Sequence, residues 1–211
     1  MSAPGLGWHA GAQALGLLQL QADPQYPRIP PERRVALVEA ALEDGRLLAN
    51  RTRELWGKDP AIIAARCEIP VIASADSASF GSTIVYAEYA TRPLSITLYL
   101  PAIRRLDRML AQAGVQECLG IGETRPIFVA HELYHHFDCT RDAEPLRRQH
   151  RVRIFGFGRW NWTSGLASLA EIAAGAFAQR LLGLSFHPKL LDLLTIKSLK
   201  LETKCSFVQP C

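Results

Sequence analysis

Residues 126–137 read Pro-Ile-Phe-Val-Ala-His-Glu-Leu-Tyr-His-His-Phe, and this stretch decides how the rest of the chain is interpreted. Apolar side chains surround its polar residues on most sides, and Pro126 suits a first helical turn, so the stretch predicts a buried helix. His131 and His135 are four residues apart and therefore lie on one face of that helix, with Glu132 beside them. Polar groups inside a protein need partners, and one metal ion would satisfy both imidazoles.

The spacing His-Glu-x-x-His is typical of helices that bind a catalytic zinc ion. Two imidazoles one turn apart ligate Zn²⁺, and the carboxylate between them accepts a proton from a water that the metal activates. His131 and His135 are therefore the predicted metal ligands, and Glu132 is the predicted general base. The competing interpretation makes the histidines core residues bonded to backbone carbonyls, with Glu132 at the surface. The cost of burying an unpaired charge disfavours it.

A catalytic zinc site usually has three protein ligands, so a third is required. Glu171 is the first candidate, because its predicted helix is otherwise made of small and apolar residues, where an unpaired carboxylate is costly to bury. A place on the solvent side of that helix is the alternative. Asp138 is three residues after His135 and is predicted to hydrogen-bond the other ring nitrogen of a ligand. His150 from the following loop is a rival ligand, and so is Cys139, four residues after His135, although Cys139 is interpreted as a small buried residue.

The chain has 211 residues, which suits one domain with a sizeable core. Residues 1–31 are rich in Gly, Ala and Pro and predict an irregular lead-in, residues 32–198 form the domain, and residues 199–211 form a C-terminal tail. Helical spacing predicts helices at about 31–55, 62–65, 101–113, 126–137, 166–184 and 187–198. Segments rich in Ile, Val, Thr and Tyr predict a small antiparallel sheet from 69–74, 82–89 and 94–100. The predicted fold class is therefore α+β.

The cysteines and the hydropathy pattern favour a reducing compartment and no membrane anchor. Five cysteines, an odd number, are scattered along the chain, which does not suit a disulfide framework. Cys205 and Cys211 in the tail are interpreted as unpaired thiols, with pairing or metal binding as the alternatives. The sequence has no run of about 18 apolar residues that would predict a transmembrane helix, and its first residues lack the positive charges of a secretory signal. The predicted location is the cytoplasm.

Positive charge is concentrated in one segment. Residues 141–159 contain six arginines and two acidic residues, a surplus of four that equals the formal charge of the whole chain, +4. The segment is interpreted as a solvated connection between helices, with a docking surface for an acidic partner as the alternative. The balanced charge of the remaining sequence argues against a nucleic-acid-binding face.

Residues 131–135 form the first of two motifs that occur together in this sequence. The second motif consists of Glu171, Ala174, Phe177 and Ala178. This combination resembles the ImmA/IrrE-type minimal gluzincins, zinc metallopeptidases in which an HExxH helix is followed by a helix with the signature Glu-x-x-Ala-x-x-Phe-Ala. The resemblance covers about residues 60–185, and Gly175 stands where the family often has Asn.

The resemblance implies a small antiparallel sheet packed on a helical, minigluzincin-like core. It also implies that His131, His135 and Glu171 bind Zn²⁺ and that Glu132 is the general base. The predicted function is hydrolysis of a bond in a peptide or protein substrate, which would lie extended along the sheet edge near residues 94–100.

Two questions stay open in the sequence. The residue that stabilises the oxyanion is chosen from Tyr86, Tyr89, His150 and the arginines of the Arg-rich segment. The alternative to a peptidase is a regulatory or interaction protein that binds zinc on the same scaffold without hydrolysing anything.

Overall fold

The computed structural model of the protein describes residues 11–80, 83–157 and 160–195. Its helices are α1 (Ala12–Gln21), α2 (Pro31–Trp56), α3 (Pro60–Arg66), α4 (Leu100–Gln112), α5 (Val115–Leu119), α6 (Arg125–Thr140), α7 (Leu146–Gln149) and α8 (Ala167–Leu182). Its strands are β1 (Val71–Ser74), β2 (Ala78–Phe80), β3 (Thr83–Val85), β4 (Ala87–Thr91), β5 (Leu94–Tyr99), β6 (Arg151–Phe157) and β7 (Trp160–Gly165). The α+β class is confirmed.

The helices that the sequence predicts at 31–55, 101–113, 126–137 and 166–184 are confirmed as α2, α4, α6 and α8. The last predicted helix is present over residues 189–195, while its predicted end and the tail 199–211 lie outside the described residues. Across the described ranges, none of the helices has both the length and the apolar character needed to cross a bilayer.

Helices α2, α6 and α8 form the centre of the core. α8 is buried along most of its length because its residues are small or apolar, and it packs against both of the other helices. Gly45 of α2 lies directly against α8, since a Cβ atom at this position would come within 2.1 Å of the carbonyl oxygen of Ala173. Only glycine permits so close an approach of the two backbones, so this residue fixes the distance between α2 and α8.

Residues 12–21 form helix α1, so the expectation of an irregular lead-in over residues 1–31 is wrong for this part. Leu15 and Leu20 are buried, and α1 packs against α2 and α8. This packing outweighs the weak helix propensity of the glycines in and around the segment. Asp23, also buried, accepts a hydrogen bond of 3.1 Å from the backbone N–H of Ser168 at the start of α8. The domain therefore includes these residues, while residues 1–10 lie outside the described ranges.

The three-stranded sheet has the order β1-β5-β4 and is mixed rather than antiparallel. β4 and β5 form the expected antiparallel hairpin, but β1 pairs with β5 in parallel. β4 occupies one side of β5 and leaves the other side to β1. The direction of β1 is set by the chain between the two strands and not by strand composition. Because β5 is the central strand, residues 94–100 do not form a sheet edge; β4 is the edge strand on this side.

The Arg-rich segment is more ordered than a simple connection. It contains the short helix α7 and the strand β6, which pairs with β7 in an antiparallel hairpin. Residues 158 and 159 at the tip lie outside the described residues. Phe155 and Trp162 face each other across the hairpin and are 61% and 67% exposed. The sequence did not reveal this hairpin because the alternation of Arg151 and Arg153 with apolar residues is short and is interrupted by the bulge between Arg153 and Phe155.

Candidate metal centre

The three predicted ligands meet where α6 packs against α8. His131 and His135 extend from one face of α6, and Glu171 extends from the second turn of α8. The Nε2 atom of His131 lies 3.1 Å from Oε2 of Glu171, and the Nε2 atom of His135 lies 3.3 Å from Oε1. The two Nε2 atoms are 3.3 Å apart. The three donor groups therefore form a triangle, in which each imidazole faces a different oxygen of the Glu171 carboxylate.

This triangle has the size that a tetrahedral zinc ion requires. Bonds of about 2.0–2.1 Å to nitrogen and oxygen ligands place neighbouring ligand atoms about 3.3–3.4 Å apart. The observed separations of 3.1 to 3.3 Å agree with this spacing. Two imidazoles and one carboxylate are also the donor set of many catalytic zinc sites. The residues present therefore fit such an ion. Of all the His, Cys, Asp and Glu residues described, only these three form a group that could hold a metal.

The triangle faces open space on two sides. A cavity of about 280 Å³ lies next to His131 and is lined on its apolar side by Ile84, Ile127 and Phe128. A more open groove of about 460 Å³ lies next to His135 and is lined by Tyr89 and Arg147 among others. The side chains of His131, His135 and Glu171 are 22%, 20% and 45% exposed, respectively. All three can therefore be reached by small solutes, although their helices are buried.

The protonation of the triangle follows from its charges. Burial acts to lower the pKa of His131, but the hydrogen bond and the negative charge of Glu171 outweigh it and raise this pKa to about 9. Burial and the nearby positive charge of His131 lower the pKa of His135 to about 4. Burial acts to raise the pKa of Glu171, but its hydrogen bond and ion pair with His131 lower it. Without a metal, one shared proton therefore stabilises the triangle at neutral pH, and a divalent ion would replace that proton.

Glu132 lies beside the triangle without belonging to it. It is 8% exposed and lines both the cavity and the groove, together with His131 and Glu171. Burial raises its pKa to about 7, since the opposing charge of His131 compensates only in part. A carboxyl group that titrates near neutral pH in a cleft suits a general base.

Asp138 does not hydrogen-bond either histidine, so the prediction that it supports a ligand is wrong. Its side chain turns towards the end of α6, where it accepts hydrogen bonds from Arg141 and from the backbone N–H of Leu146 (2.9 Å). Arg141 also donates to Asp44 of α2 at 2.8 Å, and the Tyr134 hydroxyl donates to the same carboxylate at 2.7 Å. This network ties the end of α6 to α2 on the side away from the triangle.

The two rival ligands lie apart from the triangle. Neither His150 nor Cys139 belongs to the group of donors that could share an ion. Cys139 is exposed and lines the groove, so its interpretation as a buried residue is wrong; the last turn of α6 extends beyond the core at this point. Cys205 and Cys211 fall outside the described residues. His136 points off the metal face, and its Nδ1 atom lies 3.1 Å from the Tyr89 hydroxyl.

His187 is a buried residue next to the site that the sequence analysis did not select. It is 3% exposed, and burial lowers its pKa to about 4, so the ring is neutral. The ring fills the space beside Gly175, where a Cβ atom would lie 2.4 Å from its Cε1 atom and 2.6 Å from its Nε2 atom. Gly175 itself was the available signal: a missing side chain one turn after Glu171, in a buried helix, leaves room that another residue must fill.

Arg147 is a second residue next to the site that the sequence alone did not single out. It is exposed, lines the groove together with His135 and Glu171, and forms no hydrogen bond or ion pair through its guanidinium group within the described ranges. Its positive charge contributes to the lowered pKa of His135, after burial and His131. The sequence placed it among six arginines of one segment and offered no reason to separate it from the others.

No family model matches the chain, and no curated protein or solved structure matches it either. The resemblance to the ImmA/IrrE-type gluzincins therefore stays a prediction from the two motifs.

Proposed function

We propose that this chain is a zinc-dependent peptidase of the ImmA/IrrE type, in which His131, His135 and Glu171 hold the ion and Glu132 is the general base. The observation that carries the proposal is the triangle of two imidazoles and a carboxylate, whose nearest donor atoms are 3.1 to 3.3 Å apart, beside a buried carboxyl group. A core of ordinary hydrogen-bonded histidines would not require three donors at mutual ligand distance next to two open cavities.

Glu132 supplies the proton transfers. A zinc ion in this site would lower the pKa of a bound water to roughly 7 and polarise a substrate carbonyl. Burial raises the pKa of Glu132 in the metal-free site, and the positive charge of an ion held beside it would favour the ionised carboxylate, which can accept a proton from that water. Once protonated, the same group can donate to the amine that leaves, and its burial slows loss of the proton to solvent.

The substrate would lie along β4. The cavity and the groove share Ala87, at the start of β4, as well as His131 and Glu132. β4 pairs with β5 on one side and is an edge of its sheet on the other, where the backbone of Tyr89 hydrogen-bonds the Glu132 carboxyl group. An extended peptide can bond to the other backbone groups along this edge. The cavity and the groove would then receive the substrate's side chains from either side of the bond that is cleaved. This path replaces the one predicted along residues 94–100.

Arg147 is the residue best suited to stabilise the oxyanion. Among the alternatives, the Tyr86 hydroxyl lies 3.0 Å from the hydroxyl of Thr195, and the Tyr89 hydroxyl lies 3.1 Å from His136. His150 lines neither the cavity nor the groove. Arg147 is positively charged, faces the groove beside the triangle and has no competing partner among the described residues.

The test measures bound zinc and peptide hydrolysis on the purified full chain and three variants. Glu132→Gln should keep zinc and lose turnover, because the amide cannot accept the proton. Glu171→Ala should lose zinc as well as turnover. Glu117→Gln is the matched control, since Glu117 is an exposed glutamate outside the site, and it should match the unchanged chain in both measurements.

Hydrolysis that persists in Glu132→Gln would refute the proposal. Zinc binding by the unchanged chain without cleavage of any member of a peptide library would instead favour the non-hydrolytic regulator.

A further inference from the structure

A second groove lies away from the metal centre, between the start of α2 and the β6–β7 hairpin. It measures about 470 Å³ and is lined by four arginines: Arg28, Arg33, Arg151 and Arg153. Its remaining lining residues are Pro30, Val152 and Thr163, so no acidic side chain lines it. Folding has brought these positive charges together from two segments of the chain that are more than a hundred residues apart.

The arginines of this four-arginine groove share one space without a neutralising partner. Several arginines elsewhere are paired: Arg34 with Tyr26, Arg46 with Glu43, Arg125 with Glu123, Arg141 with Asp44 and Asp138, and Arg180 with Asn50. The four guanidinium groups of the groove form no hydrogen bond or ion pair with any described residue. Four like charges that face one groove repel each other, and an anion that enters the groove relieves this repulsion. Guanidinium groups match carboxylates in geometry and charge.

The strand β6 adds backbone groups to the groove. It pairs with β7 on one side, and on the other side it borders the turn Tyr26–Arg28. No described residue bonds to the backbone of β6 on this second side. A strand with a free edge next to a cluster of arginines suits an extended peptide, which can pair with the edge while its side chains reach the guanidinium groups.

The same hairpin argues against single-stranded nucleic acid. Binding of that kind combines a basic groove with aromatic side chains on which bases stack. Phe155 and Trp162 are exposed, but neither of them lines the groove. The residues that line it therefore offer cations without an aromatic platform for bases.

We infer that the four-arginine groove binds an extended, acidic peptide segment. The carboxylates of the segment pair with the arginines of both walls, and its backbone lies along the free edge of β6. That this segment belongs to the substrate rests on the proposed peptidase function; the binding itself does not.

The test titrates a fluorescent oligoglutamate peptide with the full chain and follows its anisotropy. Two double variants remove opposite walls: Arg151→Glu with Arg153→Glu, and Arg28→Glu with Arg33→Glu. Each should weaken binding by about tenfold, because two exposed ion pairs are lost and two repulsions are gained. Arg51→Glu is the control, since Arg51 is exposed on α2 outside the groove, and it should change the affinity by less than about twofold. The affinity of the unchanged chain should fall as salt is added.

Two results would overturn the inference. One is an unchanged affinity for oligoglutamate in a double variant whose circular dichroism spectrum matches that of the unchanged chain. The other is tighter binding of oligothymidylate than of oligoglutamate, which would make the groove a nucleic-acid site. Binding is measured on the Glu132→Gln variant too, where turnover is removed. A chain that binds oligoglutamate through these arginines and hydrolyses no peptide would refute the proposed function and leave the groove as inferred.

Discussion

The contact between Gly175 and His187 predicts that Gly175→Ala destabilises the protein when His187 is present and stabilises it when His187 is replaced. In Gly175→Ala the new Cβ atom would lie 2.4 Å from Cε1 of His187, well inside contact distance, so the buried ring would have to shift. Overpacking of a core costs about 1–3 kcal/mol. Alanine inside a helix is better than glycine by about 1 kcal/mol. The net expectation is a loss of about 1 kcal/mol in the free energy of unfolding.

In a His187→Ala background the same substitution should stabilise the protein. The ring that the Cβ atom would meet is gone, so only the gain of about 1 kcal/mol in helix propensity remains. The two substitutions are therefore coupled by about 2 kcal/mol, which a double-mutant cycle measures. Urea denaturation of all four chains in the presence of a chelator gives the free energies without a contribution from bound metal. If Gly175→Ala has the same sign in both backgrounds, the packing argument is refuted.

Two further predictions concern the network behind the site and the protonation of the triangle. Arg141→Met should lower the free energy of unfolding, measured by urea denaturation, by about 3–5 kcal/mol, because Asp138 would be left buried without its cation. Arg148→Met is the control and should change it little, since Arg148 is exposed. Equal effects of the two substitutions would refute the ion-pair argument. The metal-free chain should lose stability as pH rises from 6.5 to about 9, because His131 has a raised pKa and its stabilising proton is present below 6.5 and lost above about 9. His131→Gln should flatten this part of the pH profile. A profile that stays equally steep would contradict the assignment of the stabilising proton to His131.

The sequence predicted the parts of the structure that depend on one helix at a time. The period of apolar residues located α2, α4, α6 and α8, and the rule that a buried carboxylate needs a partner selected Glu171, which lies 3.1 Å from His131. Helix α1 was missed because its stability comes from packing against α2 and α8 rather than from its own propensity.

Features that depend on how distant segments meet were not predictable in this way. The direction of β1 relative to β5 is set by the chain between them, and strand composition carries no record of it. The orientation of Asp138 was misjudged because its partners, Arg141 and the backbone of Leu146, are positioned by the end of α6 and the start of α7. The four-arginine groove combines Arg28 and Arg33 with a hairpin that the sequence did not reveal.

The geometry of the triangle also depends on small residues that let the helices pack closely. Gly45 lets α2 approach the backbone of α8 at Ala173, and Gly175 lets the ring of His187 approach α8 one turn after Glu171. Together with the bond from Ser168 to Asp23, these contacts hold α8 along its length and place Glu171 against His131 and His135. A carboxylate and two imidazoles held at this distance need a positive charge between them, either a proton on His131 or a divalent cation. The packing of α2 against α8 thus holds the three ligands in position. The competition between a proton and a metal ion then sets the affinity of the site for the metal.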